Sequence, residues 1–208
     1  MTKQERAART RLALVRSAAM VFEKSGYTQA RLSEISAGAG VSAGALHFHF
    51  ENKAVMADAV EQAACRTLRL TASRVRRRDA SALQRLVDLS HGFGQLLRTE
   101  VVVRAGLRLN ADTERAPALD LRREWHACVD ELLVEAGRAG GLSQDLPPHR
   151  AGSLIFATSV GLEVLAREDG EWVSPSSLAY VWRLLLPSVA SPLAVGALDP
   201  AGSGADFE

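Results

Sequence analysis

The sequence predicts an all-α fold with about nine helices. Apolar residues recur at helical rather than strand spacing along most of the chain, as at Val15, Ala18, Ala19 and Phe22. Breaks that contain Pro or Gly, such as AGGL and DLPP, separate the periodic segments. With 208 residues, of which 47% are hydrophobic, the chain is long enough to bury a substantial core. We therefore expect a folded helical protein.

The helical segments divide the chain into a short head and a longer body. Gly26 is a typical helix stop, and Asn52 is a typical cap for a long helix from residue 53 to about 78. The predicted domains are therefore residues 1–52 and 53–190. Residues 191–208, rich in Gly, Pro, Ala and Ser, have no sustained period and predict a disordered tail. Further helices are expected in the body at about 80–98, 100–110, 119–139, 148–167 and 175–189.

Composition argues against several classes of protein. No apolar run approaches the length of a membrane span, and the N-terminus MTKQERAARTR lacks the apolar stretch of a signal peptide. We expect a cytoplasmic protein without membrane contact. Cys65 and Cys128 match no metal-ligand or redox spacing, so reduced, buried thiols are expected.

Charge is distributed unevenly along the chain. Residues 1–53 contain eight Lys or Arg and four acids, a balance of +4, whereas the whole chain has a net charge of +1. A basic head suits a nucleic-acid partner, because affinity for a phosphate backbone comes largely from counterion release. A solvated basic helix face would give the same balance.

The segment LSEISAGAGVSAGALHFHFENK has the spacing of a helix-turn-helix. Two short helical patterns, Leu32–Ala39 and Ala43–His49, are joined by a tight turn at Gly40 and Val41. Ser42 is placed to cap the second helix, where its hydroxyl could also reach a phosphate. Small residues at the start of that helix keep it slim enough to enter the major groove.

Gly26-Tyr27, LSEI and GVSAGALHFHFENK together resemble the DNA-binding signature of the TetR family of repressors. The family commonly has Lys at the position of Ala43 and Tyr at that of His47, so base readout differs here. By matching position, the resemblance implies base-edge contacts for Ala43, Gly44, His47 and Phe48, and phosphate contacts for Arg31, Ser42, His49 and Lys53.

Structural alternatives exist for the histidines and phenylalanines of this motif. His47 and His49, two positions apart on a helix, point in different directions, so we expect no metal site. Helical spacing predicts that one of Phe48 and Phe50, preferably Phe50, packs into the core of the head.

The body of such a regulator would dimerise and bind an effector. The last two helices carry apolar stripes that favour a dimer interface, although an intramolecular core would give the same pattern. The stripes consist of Leu154, Thr158, Gly161, Leu162 and Leu165, and of Leu178, Val181, Trp182 and Leu185.

Two tryptophans in the body are the first candidates for the effector site. Trp125 and Trp182 combine a broad apolar face with one hydrogen-bond donor, although either could be plain core. VVVRAGLRLNAD, REW and VWRLLLP resemble the γ-butyrolactone autoregulator receptors, a TetR subgroup that controls antibiotic production, and this resemblance implies that both tryptophans belong to the ligand region. Further candidates, chosen by apolar pattern alone, are Phe93, Leu97, Phe156 and Val160.

The favoured function is a homodimeric repressor that a small hydrophobic effector releases from a roughly palindromic operator. The effector is expected to be a γ-butyrolactone-type signal, or an antibiotic or intermediate, as in the "pseudo-receptors" of the same subgroup. The alternative is a repressor of a drug-efflux pump, for which Glu163 is the clearest carboxylate to meet a cationic drug. Neither an enzyme nor an interaction-only protein is favoured, because no catalytic or cofactor motif occurs and the head would be unexplained. No cofactor is expected.

Overall fold

The computed structural model describes residues 2–204, and this part of the chain forms nine α-helices and no strand. The all-α prediction is confirmed. Two short 3₁₀ helices lie at Gly170–Val173 and Val195–Ala197, and one isolated antiparallel bridge joins Leu142 to Ala190. The α-helices are α1 (Lys3–Gln29), α2 (Leu32–Gly38), α3 (Ala43–His49), α4 (Lys53–Arg76), α5 (Ala82–Thr99), α6 (Val101–Asn110), α7 (Leu121–Arg138), α8 (Pro148–Leu165) and α9 (Pro175–Val189).

The helix boundaries follow local signals in the sequence. Gly26 has a φ of +73°, which interrupts α1 three residues before its end, and Gly40 has a φ of +67° in the turn between α2 and α3. Such angles are readily accessible to glycine, because it has no Cβ. The side chains of Ser42 and Asn52 accept hydrogen bonds from the backbone N–H groups of Ala45 (3.2 Å) and Val55 (3.0 Å). Both predicted caps are confirmed.

The chain folds into two compact units whose boundary differs from the predicted one. The first unit contains the residues up to Thr67 together with Glu100–Leu121, and the second contains Leu68–Thr99 and the residues from Arg122 onward. Helix α6 belongs to the first unit because it packs against α1. Residues 53–67 and 100–121 thus extend the predicted head of residues 1–52, which local periodicity alone could not reveal.

One apolar core holds the first unit together. Ile35 of α2 and Leu46 of α3 are buried in this core, and Phe50 after α3 joins them, as predicted. Helices α1, α4 and α6 supply most of the remaining buried side chains, among them Leu14, Phe22, Met56, Val60, Ala105 and Leu109. Since α2 and α3 have only seven residues each, their orientation depends on this shared packing.

In the second unit, α5 packs against α8, α9 and the Gly170–Val173 helix. Its apolar residues occupy more than one face, which predicts a largely buried helix, and 13 of its residues are buried. Leu83, Leu86, Phe93 and Leu97 are among them. Helix α5 is therefore the central element of this unit.

The segment after α9 is ordered as far as the structure describes it, which differs from the predicted disordered tail. Ser191 N–H donates to the carbonyl of Gly141 (2.8 Å), and Asp199 N–H donates to the side chain of Gln84 (2.8 Å). These polar contacts hold the segment in place, although its sequence has no apolar helical period. The part of the tail prediction that concerns residues 205–208 lies outside the described residues.

Gly106 of α6 sets the distance between α6 and α4 in the first unit. A Cβ at this position would lie 2.6 Å from the Cβ of Ala64 and 3.1 Å from Leu121. We expect Gly106→Ala to lower the free energy of unfolding by roughly 1–3 kcal/mol in urea denaturation, because overpacking forces the two helices apart. Gly137→Ala in α7, whose Cβ would make only ordinary contacts, is the matched control and should be neutral or slightly stabilising.

Candidate nucleic-acid interface and effector cavity

Helix α3 has one buried face and one exposed face. Ala43, Gly44, His47 and Phe48 are all exposed, and Phe48 is the most exposed of the described aromatic side chains at 79%. Positions 43 and 47, like 44 and 48, are four residues apart and lie on the same side of a helix. The four residues expected at base edges thus share one solvent-facing surface.

The residues expected near phosphates surround this surface. Arg31 is exposed at the N-cap position of α2, and the exposed Ser42 caps α3. His49 is half-buried and lies edge-on to Phe48, with ring centroids 5.2 Å apart. Their contacts with DNA remain predictions.

Lys53, the fourth of these residues, has a structural role that its place in the motif does not reveal. Its ammonium group donates hydrogen bonds to the carbonyl oxygens of Tyr27 (2.8 Å), Thr28 (3.0 Å) and Ala30 (3.3 Å). It also lies 4.7 Å from the centroid of the Tyr27 ring. Because an ammonium has three N–H donors, the three carbonyls satisfy it fully. Lys53 therefore fixes the start of α4 to the connection between α1 and α2.

A second cation holds the same connection from the loop after α6. The guanidinium of Arg115 lies 5.5 Å from the centroid of the Tyr27 ring and is paired with Asp58 (2.5 Å) and Glu61 (2.6 Å). Glu61 is fully buried and also accepts a hydrogen bond from Asn110 (2.7 Å). In the sequence, this cluster was indicated only by Glu61, a charged residue on the buried face of α4.

The second unit contains a narrow apolar cavity, partly open to solvent, between α5, α8 and α9. The empty space, including solvent at the mouth of the cavity, measures about 390 Å³, but only about 20 Å³ of it can hold the centre of a water molecule. No side chain in its lining carries a charge. The lining residues are Ser90, Phe93, Gly94, Ile155, Thr158, Ser159, Leu162, Val173, Leu178, Val181, Trp182 and Leu185.

Two of the six residues predicted for the ligand region, Phe93 and Trp182, line this cavity. Trp125 does not line the cavity but stacks on Phe93, with ring centroids 4.3 Å apart. The indole N–H of Trp125 is buried without a hydrogen-bond partner among the described residues.

The other three predicted ligand residues, Leu97, Phe156 and Val160, are not part of the cavity lining. Helix α8 presents Ile155 and Ser159 to the cavity, whereas Phe156 packs on the ring of His126 at 4.5 Å. A largely apolar helix has several apolar faces, and the spacing of its apolar residues does not show which face lines a cavity. The small residues of the lining were missed for the same reason: they are Ser90, Gly94 and Ser159.

The apolar stripes assigned to a dimer also need revision. Thr158 and Leu162 of α8 line the cavity, and so do all four residues of the α9 stripe, Leu178, Val181, Trp182 and Leu185. The apolar side chains that α9 exposes are instead Tyr180 and Leu184, at 61% and 62%. On α8, Leu154, Gly161 and Leu165 are exposed as expected.

Membrane-spanning helices and clusters of metal ligands are absent from the described residues. No helix there is long and apolar enough to cross a membrane, and no group of three His, Cys, Asp or Glu side chains could hold a metal ion. Cys65 is buried and Cys128 is half-buried, and neither forms a disulfide.

An all-α chain with a helix-turn-helix in one unit and an apolar cavity in the other is a DNA-binding regulator of the one-component class. Residues 14–60 match the model of the bacterial regulatory proteins, tetR family. Over 203 residues, 97% of the chain and 71% of the relative, it is 30% identical to the A-factor receptor protein of Streptomyces griseus. The chain belongs to the TetR family of transcriptional regulators, and within it resembles the γ-butyrolactone receptors.

Solved structures give the same assignment. A γ-butyrolactone receptor, an ArpA-like protein, has a TM-score of 0.82 and 31% identity, with 94% of this chain and 96% of that one covered. CprB from Streptomyces coelicolor, solved in complex with its biological operator sequence, has a TM-score of 0.77 and 32% identity, with 92% and 94% covered. The similarity therefore extends over both units.

The two candidate phosphate ligands Arg31 and Lys53 are expected to differ in their effect on salt dependence. We expect Lys53→Met to weaken DNA binding at every salt concentration, because α4 is no longer fixed to the α1–α2 connection, without changing the slope of log K against log[salt]. Arg31→Met should reduce that slope by about 0.9 for each phosphate that the arginine neutralises. Fluorescence anisotropy with labelled DNA at several salt concentrations measures both. An equal reduction of the slope for Lys53→Met would show that its ammonium contacts phosphate after all.

Proposed function

We propose that this chain is a homodimeric repressor of antibiotic or secondary-metabolite genes that a small, neutral, hydrophobic effector releases from its operator. The observation that carries this function is the presence in one chain of an exposed face on α3 and a narrow, uncharged cavity lined by α5, α8 and α9. No catalytic step is part of the function, and the similar proteins are regulators. Its place of action is the cytoplasm, where the operator lies.

The cavity favours an effector with a hydrocarbon part and a few carbonyl or hydroxyl groups. Its polar side chains are hydroxyls, of Ser90, Thr158 and Ser159, and each donates to a carbonyl of its own helix. Their oxygen atoms keep lone pairs for a ligand hydroxyl. The indole N–H of Trp125, which has no hydrogen-bond partner among the described residues, is a further possible donor for a ligand carbonyl next to Phe93. A γ-butyrolactone fits this description, as do neutral antibiotics and their intermediates.

The narrowness of the cavity indicates how an effector could release the chain from DNA. Space for about one water molecule is too small for any such effector. The effector must therefore prefer an open conformation of the second unit, and it shifts the population only by that difference in affinity. Helix α4 is continuous from Lys53 to Arg76 and so belongs to both units. We propose that it carries the change to the head.

An exposed apolar surface on α8 and α9 supports the dimer. It consists of Leu154, Gly161 and Leu165 of α8 with Tyr180 and Leu184 of α9. Apart from the chain neighbours of Gly161 and the backbone of its own helix, no described atom lies within 4 Å of a Cβ built there, so a helix of a second copy could approach closely. A two-fold dimer would place two recognition helices on a roughly palindromic operator.

An efflux-pump repressor for cationic drugs is less well supported. Glu163, the carboxylate that would meet such a drug, is buried but already paired with Arg122 (2.8 Å) and Arg167 (2.9 Å). Two guanidinium groups neutralise its charge. A cationic ligand would find no free carboxylate in the lining of the cavity.

A gel-shift assay with DNA from upstream of the chain's own gene tests the function directly. We expect a shifted band without effector, and its loss on addition of a synthetic γ-butyrolactone or an extract that contains an antibiotic. A mutated palindrome is the control for specificity. Equal DNA binding with and without every candidate would contradict an effector-released repressor.

Ser159→Leu should give a repressor that no longer responds to its effector. The larger side chain fills the small free space, so the effector is excluded while the head stays intact. We expect DNA affinity within about twofold of wild type and at least a tenfold higher effector concentration for release. Ser153→Leu, at an exposed position of the same helix, is the control and should respond normally. A normal response of Ser159→Leu would place the effector outside this cavity.

A further inference from the structure

One face of α5 holds the backbone of the C-terminal segment through three polar side chains. Gln84, Asp88 and His91 follow one another at intervals of four and three residues, and all three are buried. Gln84 accepts from Asp199 N–H (2.8 Å) and donates to its carbonyl (3.2 Å). The Nε2 atom of His91 lies 2.9 Å from the carbonyl oxygen of Pro200. We call residues 199–203 the strap.

Asp88 is the central contact of the strap. Its carboxylate is fully buried and accepts hydrogen bonds from Ser203 N–H (2.8 Å) and Ser203 Oγ (2.6 Å) as well as from Arg78 (2.8 Å). Burial alone would raise the pKa of Asp88, but the hydrogen bonds from Ser203, Arg78 and Gln84 together lower this pKa below its ordinary value of 3.8. Two of the donors that keep this carboxylate charged thus belong to the strap.

The strap itself contributes little to the apolar core. Asp199, Ala201 and Ser203 are exposed, and Pro200 and Gly202 are only half-buried. Segments with few buried apolar contacts open at low free-energy cost, without unfolding of the rest of the domain. The strap therefore has the properties of a detachable contact.

The same helix also forms one wall of the effector cavity. Ser90, Phe93 and Gly94 lie in that wall, within one turn of His91. Because the cavity has only about 20 Å³ of free space, an effector needs additional room, which displacement of Phe93 or a shift of α5 relative to α8 and α9 would provide. The hydrogen bonds between the strap and α5 would oppose such a shift.

We propose that residues 199–203 act as an intramolecular strap that holds α5 in the position of the narrow cavity and so sets the effector concentration needed for release. The strap regulates the cavity to which the proposed function assigns the effector, and its regulatory role rests on that assignment. Loosening the strap increases the population of the open cavity and tightens binding of any apolar ligand there.

Two truncations of the full chain test the strap. One ends after Leu198 and removes the strap, and the matched control ends after Gly204 and keeps it. Each is titrated with N-phenyl-1-naphthylamine, a neutral apolar dye, and binding is followed by energy transfer from tryptophan, since Trp182 lies in the cavity wall. We expect the truncation after Leu198 to bind the dye at least about threefold more tightly than wild type, and the control to bind it equally. Ser159→Leu, introduced into each of the two truncated chains, should abolish the energy-transfer signal, which would show that the dye binds in the cavity.

A pair of point variants provides an independent test that leaves the chain length unchanged. Gly202 has a φ of +84°, and a Cβ there would lie 3.4 Å from His91 and 3.5 Å from Asp88, so Gly202→Ala strains the strap on α5. Gly204 has a similar φ of +66°, but a Cβ there would meet nothing within 4 Å, and it follows the last strap contact. We expect Gly202→Ala to tighten dye binding and to accelerate hydrogen exchange of the α5 amides from residue 89 to 97, whereas Gly204→Ala does neither.

Unchanged or weaker dye binding in the folded strap variants would overturn the role of the strap. Loss of the folded state, seen by circular dichroism, in both the truncation after Leu198 and Gly202→Ala would also overturn it, because the segment would then be part of the structural core. The gel shift separates this result from the proposed function. If no effector releases the wild-type chain from DNA, the repressor function fails, while the dye titration still decides whether the strap controls the cavity.

Discussion

The short helices α2 and α3 impose the constraint on which the rest of the molecule depends. Seven residues give too few hydrogen bonds for a helix to be stable by itself. Their orientation is fixed by burial of Ile35, Leu46 and Phe50 in a core that α6 shares through Ala105 and Leu109. The recognition face therefore cannot be positioned independently of α6. A helix more than fifty residues away in the sequence is part of the DNA-binding unit.

Electrostatic contacts also hold the connection between α1 and α2, which leads into the helix-turn-helix. Lys53 and Arg115 both lie against the ring of Tyr27, which stands at the end of α1 and just before Arg31 and α2. Buried charges are costly unless they are paired, and Glu61 provides the pairing for Arg115. Local interactions from α4 and from the loop after α6 thus meet at one aromatic residue. Any movement of α4 or of that loop would change the support of the recognition helix, as the proposed release from DNA requires.

The sequence predicted the features that depend on neighbouring residues and missed those that depend on distant ones. The caps at Ser42 and Asn52, the turn at Gly40 and burial of Phe50 rest on local geometry, and each was predicted correctly. Tertiary packing decides that α6 belongs to the first unit and which side of α9 faces the cavity. A helical period in the sequence does not reveal either. Polar residues on buried stripes were the unused signal: Gln84, Asp88 and His91 interrupt an otherwise apolar α5, and each holds the C-terminal segment.

The positions of the buried charges indicate which kind of ligand the cavity can bind. Among the described residues, the buried carboxylates are paired with guanidinium groups outside the cavity, as Glu61 is with Arg115, Asp88 with Arg78 and Glu163 with Arg122. The cavity lining contains no charged side chain; its polar groups are hydroxyls and the indole of Trp182. A charged ligand would lose its hydration there without compensation, whereas a neutral ligand loses little. Because the cavity is narrow, the proposed effector would act by favouring a wider conformation of the second unit rather than by tight binding to the narrow one.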